Sequence, residues 1–234
     1  MIKPRVAIII PAYNEAQVLG GVVKNVYKAA RKSQYNVTVV VVNDGSKDET
    51  ATVAQNAGAH VINHILNSGA GGATATGLSY ANQYDFTMAA TMDADGQHDP
   101  VDVMRGFKEL EDTNADLVIG SRLINSKGMS RVKILGNKGL SFITFTLFGI
   151  SSTDSQSGLR IFSQKALENL RWKTSGYEFC SEMLWRANQL GLEICEYPIK
   201  AIYTDYSKAK GQNNWNGVNI LKSLIKRRFV ELFE

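Results

Sequence analysis

Residues 6–10, Val-Ala-Ile-Ile-Ile, form an unbroken apolar run rich in β-branched side chains, the pattern of a strand buried on both faces. Pro11-Ala12-Tyr13-Asn14-Glu15 ends that run, and apolar positions at Val18, Val22, Val23, Val26 and Ala30 then recur at helical spacing, with Asn14 as the expected cap. The alternation repeats. A second strand is expected over 37–42, a helix over 50–58 and a short strand over 60–62. Further strands are expected in the apolar run 84–90 and in 116–120, and a helix over 177–189. Strand, loop and helix in this rhythm predict βαβ units in a single-domain α/β fold, a mostly parallel sheet flanked by helices. Ligands of such sheets gather at the carboxyl ends of strands, where residues 11–15, 43–46 and 93–97 all fall.

Composition adds limits. The chain has 234 residues, within the range of one large domain, and 44% apolar residues are enough for a sizeable core. A net charge of +4 suits anionic ligands or a membrane surface but does not by itself distinguish them from nucleic acid, which is not among the expected partners. Cys180 and Cys195 have no ligand spacing and read as reduced thiols of a cytosolic protein. The start, Met1-Ile2-Lys3-Pro4-Arg5, lacks a signal-peptide layout, and no apolar segment reaches the roughly 20 residues that span a bilayer. The expected location is cytoplasmic, with any membrane contact peripheral at the inner face.

The candidate chemistry centres on Asp93-Ala94-Asp95-Gly96-Gln97-His98. Two carboxylates two residues apart in an extended segment point the same way, and their repulsion is relieved by a hard divalent ion with oxygen ligands. A solvated acidic turn is the plain alternative. A calcium loop of the EF-hand type is excluded, since the positions for its sharp-turn glycine and terminal Glu hold His98 and Met104. An aspartyl-phosphatase of the haloacid dehalogenase type also uses Asp-x-Asp-Gly, but usually near the chain start. Asn67-Ser68-Gly69-Ala70-Gly71-Gly72-Ala73 opens a helix of small residues, either for close packing or for backbone approach to a phosphate. Thr74 stands where a dinucleotide fingerprint needs its third glycine, so a nicotinamide cofactor is discarded.

Taken in order, Pro11-Ala12-Tyr13-Asn14-Glu15, Asn43-Asp44-Gly45-Ser46, Asn67-x-Gly69-x-Gly71, Asp93-Ala94-Asp95-Gly96-Gln97-His98, Gly120-Ser121-Arg122 and Asp154-Ser155-Gln156-Ser157-Gly158-Leu159-Arg160 resemble the successive motifs of family-2 glycosyltransferases with the GT-A fold. The branch most resembled is the dolichyl- and polyprenyl-phosphate sugar synthases, over residues 5–211. The resemblance implies a Rossmann-like GT-A domain over 1–211, with a nucleotide-sugar half (1–120) and an acceptor half (121–211). It implies an inverting transfer from a UDP- or GDP-sugar to a polyprenyl phosphate, the alternatives being a saccharide hydroxyl as acceptor or a non-catalytic nucleotide-sugar sensor.

By the same resemblance Pro11, Tyr13, Asn14 and Glu15 contact base and ribose, Asp44 accepts from the base edge, and Asn67, Gly71 and Ala94 join the donor site. Asp93, Asp95 and Gln97 hold Mg²⁺ or Mn²⁺. Arg122 contacts substrate phosphate, with a surface ion pair as its plain alternative. Arg131 meets the lipid phosphate, and Asp154 lies near the acceptor, as its base or as a group that orients it. Ser207 and Lys208, with Lys210, are expected over the diphosphate, although Ala70, Ile202 and Asp205 depart from the family pattern. Glu178 and Glu182 read as structural. The apolar stretch 140–150 corresponds to a helix at the membrane surface in the synthases. Residues 212–234 read as a basic amphipathic helix, resting on lipid or docked on the domain, so the expected partners include a membrane surface or a separate membrane protein.

Overall fold

The computed structural model describes residues 3–127, 129–203 and 206. Seven strands make one sheet: β1 (Arg5–Ala12), β2 (Asn36–Asn43), β3 (His60–Asn63), β4 (Met88–Thr91), β5 (Leu117–Ser121), β6 (Arg160–Ser163) and β7 (Ile194–Pro198). Their order is β3-β2-β1-β4-β6-β5-β7. Every neighbouring pair is parallel except those of β6, which runs antiparallel to both β4 and β5.

Alternation along β1 explains the layers. Val6, Ile8 and Ile10 face α1 (Ala16–Ala30) and α4 (Pro100–Thr113), while Ala7 and Ile9 face α3 (Gly69–Gln83), α6 (Gln164–Asn169) and α7 (Phe179–Gln189). Both faces are covered by helices, which is why the central strands read as continuous apolar runs. Burying such a side chain contributes about 1.5–3 kcal/mol. The small residues of α3 let it approach β1 closely: a Cβ on Gly77 would come 2.1 Å from Ile9 Cγ2.

Two local expectations are corrected. Asn14 is not the cap of α1. It sits in the left-handed region at φ 54°, Glu15 is the cap residue, and the first free amides find acceptors on the loop after β2. The strand expected in 84–90 is β4, displaced to Met88–Thr91 because α3 runs on through Gln83.

Helix α5 (Arg131–Phe148) is turned the unusual way. Its inward side carries Ser141 and Thr144, whose hydroxyls meet those of Ser155 and Ser181. Its outward side exposes Val132, Leu135, Phe142 at 68% and Phe145 at 51%. Among the described residues no helix is long and apolar enough to cross a membrane.

Candidate active site

The carboxyl ends of β1 and β2 are stitched together. Asn14 N–H donates to Ser46 Oγ (3.0 Å) and Asn14 Oδ1 accepts from Lys47 N–H (2.9 Å), while Glu15 N–H donates to Thr50 Oγ1 (2.8 Å). Asn14 and Glu15 thus use their polar groups to join two loops, and Glu15 Oε2 also accepts from the Tyr206 hydroxyl. Tyr13 stays exposed at the rim.

Asp44, at the end of β2, is nearly buried. Its Oδ1 accepts from Ser68 N–H, Ser68 Oγ and His64 Nδ1, and its Oδ2 from Gly69 N–H. Burial pushes its carboxyl up, but the donors from Ser68, His64 and Gly69 outweigh that and hold it below the usual carboxylate value. A carboxylate at a helix start is favoured by the free amides and the helix dipole. The carboxylate that meets the first amides of α3 is therefore Asp44 itself. Gly71 N–H donates to Ser175 O (2.7 Å), and a Cβ there would lie 2.6 Å from Thr174 O. Glycine at 71 serves packing against the 173–176 loop, which Glu182 anchors by accepting from Lys173 and Thr174 amides. Asn67 Oδ1 accepts from Gly69 N–H within the same turn.

Asp93 and Asp95 lie beyond β4, which stops at Thr91, so a turn with Gly96 at φ 78° places them rather than strand alternation. Asp95 accepts from Gln97 N–H (3.0 Å) and from the Gln97 side-chain amide, which leaves Gln97 Oε1 to face elsewhere. Buried His98 accepts from Asp93 N–H at Nδ1, so Nε2 carries the proton and stands 3.6 Å from Asp93 Oδ2. Gly158 backs Asp93 so closely that a Cβ would meet its Oδ1 at 2.2 Å. Ala94 is buried. Among the described residues no three His, Cys, Asp or Glu side chains converge to hold a metal unaided. That donor set fits Mg²⁺ or Mn²⁺, which take one or two carboxylates and complete their shell with water and substrate phosphate.

Because β6 is antiparallel, the loop leading into it, 154–159, arrives at the same end of the sheet. Asp154 is fully buried there and grips Arg122 with both oxygens, Nε to Oδ2 at 2.7 Å and Nη2 to Oδ1 at 2.8 Å. Burial opposes the Arg122 charge, but Asp154, with Asp93 beyond it, raises the guanidinium above its ordinary value and keeps it charged. Asp154 therefore orients Arg122. Arg160 is also buried, donating to the carbonyls of Ser155, Ser157 and Cys180, and so fixes that loop. Glu196 on β7 adds bonds to Ser152 and Thr153.

Arg131 opens α5 as an exposed residue. It is Lys133 that faces the site. Its ammonium stands 4.0 Å from the Tyr203 ring centroid, and partial burial and then Arg122 lower its pKa while Asp95 raises it. The segment after β7 brings Tyr203 there, with Ile199 N–H on Ser121 O and Ile202 N–H on Gln97 O. Nothing in the sequence marked Lys133, Tyr203 or His64, and His98 and Gly158 stood only as members of their motifs, with no role assigned. For Lys133 the missing signal was the helix start at 131, which sets the register. Ser207, Lys208, Lys210, Asp205 and the expected 212–234 helix lie outside the described residues.

Residues 7–171 match the family described as Glycosyl transferase family 2. The chain belongs to that family. This glycosyltransferase is 40% identical to the UDP-N-acetylglucosamine–dolichyl-phosphate N-acetylglucosaminyltransferase of Methanococcus voltae, over 93% of this chain and 94% of that protein. It is 29% identical to the polyprenol monophosphomannose synthase of Mycolicibacterium smegmatis, over 95% and 85%. Among solved structures, the glucosyl-3-phosphoglycerate synthase of Mycobacterium tuberculosis with Mn²⁺, UDP and phosphoglyceric acid shares the fold of the transferase at a TM-score of 0.72. That likeness carries 18% identity, over 96% of this chain and 78% of that one. The expected GT-A α/β fold and family are both borne out.

Proposed function

We propose that this enzyme transfers a sugar, with inversion, from a uridine diphosphate sugar to a polyprenyl phosphate at the inner face of a membrane. The observation that carries the reading is Arg122, clamped by buried Asp154 and set with Lys133 beside the Asp93–Asp95 turn. Two cations beside a metal-binding turn suit a reaction with a phosphate on each side of the transferred sugar. A phosphate oxygen of the acceptor bonds to the anomeric carbon as the bond from that carbon to the diphosphate breaks, and the electron pair leaves with the nucleoside diphosphate. The acceptor phosphate, with a second pKa near 6, arrives largely ionised and needs no base. A saccharide hydroxyl would need one, and Asp154, wholly buried under Arg122, is poorly placed to serve.

Asp93, Asp95 and Gln97 Oε1 would hold the divalent ion, which when bound stabilises charge on the departing diphosphate. Tyr13 and Asp44 would meet the base. Uridine is favoured over guanosine by the name of the 40%-identical Methanococcus voltae relative. Calorimetric titration with UDP and with GDP, each with and without Mn²⁺, tests the donor; transfer to polyprenyl phosphate against a free saccharide tests the acceptor. If neither nucleotide binds under any metal condition, the reading fails at its first step.

Two further outcomes are expected. Gly158→Ala should weaken Mn²⁺ binding about 10- to 100-fold, because the added methyl displaces the Asp93 carboxylate. Manganese EPR reads this directly, and unchanged affinity in the folded variant would remove Gly158 from the site. The outward side chains of α5 fit a lipid surface better than water. Phe142→Ser should reduce flotation with anionic vesicles about tenfold, from the transfer energy of one buried aromatic side chain. Equal flotation of wild type and variant would argue that α5 stays clear of lipid.

A further inference from the structure

We propose that His64 is a positioning residue of the nucleotide site, holding Asp44 so that one carboxylate oxygen stays open to a base N–H. The inference rests on the reading of Asp44 as a base contact. The turn between β3 and α3 is built against ordinary burial: Ile65 is 97% exposed and Leu66 79%, while the histidine before them is turned inward. A loop that exposes two aliphatic side chains and turns an imidazole inward has given up apolar burial to place that ring.

The ring is held at both nitrogens. Nδ1 lies 2.8 Å from Asp44 Oδ1, and Nε2 lies 3.0 Å from Thr76 Oγ1 on α3. An ionised carboxylate only accepts, so Nδ1 carries a proton. Ser68 completes the cluster, its hydroxyl 2.7 Å from Asp44 Oδ1 and 3.0 Å from His64 Nδ1. Oδ1 thus receives three donors and Oδ2 one, the Gly69 amide. Each carboxylate oxygen offers about two acceptor sites, so Oδ1 is filled and the capacity that remains is on Oδ2. The ring N–H of uracil (N3) or guanine (N1), beside a carbonyl, is the kind of donor that fits it. His64 supplies one of the three donors that hold Oδ1, and without it that oxygen can hydrate and the carboxylate is held less tightly in its rotation.

The test titrates UDP and GDP, with Mn²⁺, into the full chain as wild type, His64→Ala and His64→Asn. The Asn amide nitrogen sits two bonds past Cβ, as Nδ1 does, so it can donate to Asp44. The expected result is about a tenfold loss of nucleotide affinity in His64→Ala, recovery to near wild type in His64→Asn, and kcat at saturating donor unchanged in both. A His64→Ala variant that binds like wild type overturns the inference alone. So does a His64→Asn variant as weak as the alanine, since the ring's bulk and not its hydrogen bond would then be what counts. A wild type that binds neither nucleotide overturns the nucleotide reading together with the inference.

Discussion

Asp95→Asn should abolish the metal dependence of nucleotide binding: UDP is expected to titrate alike with and without Mn²⁺, at an affinity at least about 100-fold below that of the metal-loaded wild type. The substitution keeps the shape of the side chain but removes its charge, and a hard divalent ion in a site with few protein ligands depends on that charge. A second loss follows from the local hydrogen bonds. Asp95 accepts both the backbone and the side-chain amide of Gln97, which turns Gln97 Oε1 outward as a donor oxygen. An asparagine amide can donate as well as accept, so Gln97 is no longer held in one orientation. Asp112→Asn, on the exposed side of α4 and paired with Lys108, serves as the control of equal charge change. If Asp95→Asn still shows tighter UDP binding with Mn²⁺, the turn is not the metal site.

Arg122 and Asp154 should separate stability from turnover. Removing one partner of a buried ion pair leaves the other charge uncompensated and costs about 3–5 kcal/mol. Among the described residues, Arg122→Ala leaves buried Asp154 with only the backbone N–H of residue 122, so unfolding in denaturant should show a loss of that size. Removing both charged groups, Arg122→Ala with Asp154→Ala, should restore part of that stability, because no lone charge remains. Turnover is expected to fall about 100-fold or more in both variants, since each lacks the guanidinium that meets developing or resident phosphate charge. A double variant that regains turnover along with stability would reduce the pair to a structural tie.

The parts of the fold that could be read from sequence alone were those where a side chain's neighbour is implied by its own period. The runs of β1, β2 and β5 are continuous because helices cover both faces, and continuity is visible along the chain. The motif order placed three loops at one sheet end, and the sheet places them there. Where one residue type serves two ends, the sequence was silent. Gly69 and Gly71 suit phosphate approach and close packing equally, and only Ser175 and Thr174, a hundred residues on, decide for packing. Asn14 has a cap's chemistry, yet its partners are Ser46 and Lys47 across a loop. Asp154 and Arg122 are 32 positions apart, so nothing local reveals that each is the other's partner. Arg131 and Lys133 differ by two positions at a helix start; without the start point, neither can be assigned to a side.

The reversed strand has a consequence for how the chain is made. β5 finishes at Ser121, but β6, its first partner in the sheet, begins at Arg160, 39 residues later. At ordinary elongation speeds of about 5–20 residues per second, that interval is roughly 2–8 s. Through it β4 has an open edge beside β1 and β5 has no neighbour at all, both of them apolar and short of hydrogen-bond partners. Once β6 slides between them, β5 joins the sheet and Asp154 reaches Arg122 in the same event, while β7, which pairs with β5, is made later. A nascent chain stalled inside this window has β1 to β4 paired, the Arg122–Asp154 contact unmade and two apolar strands with open edges, the kind of species that chaperones shield.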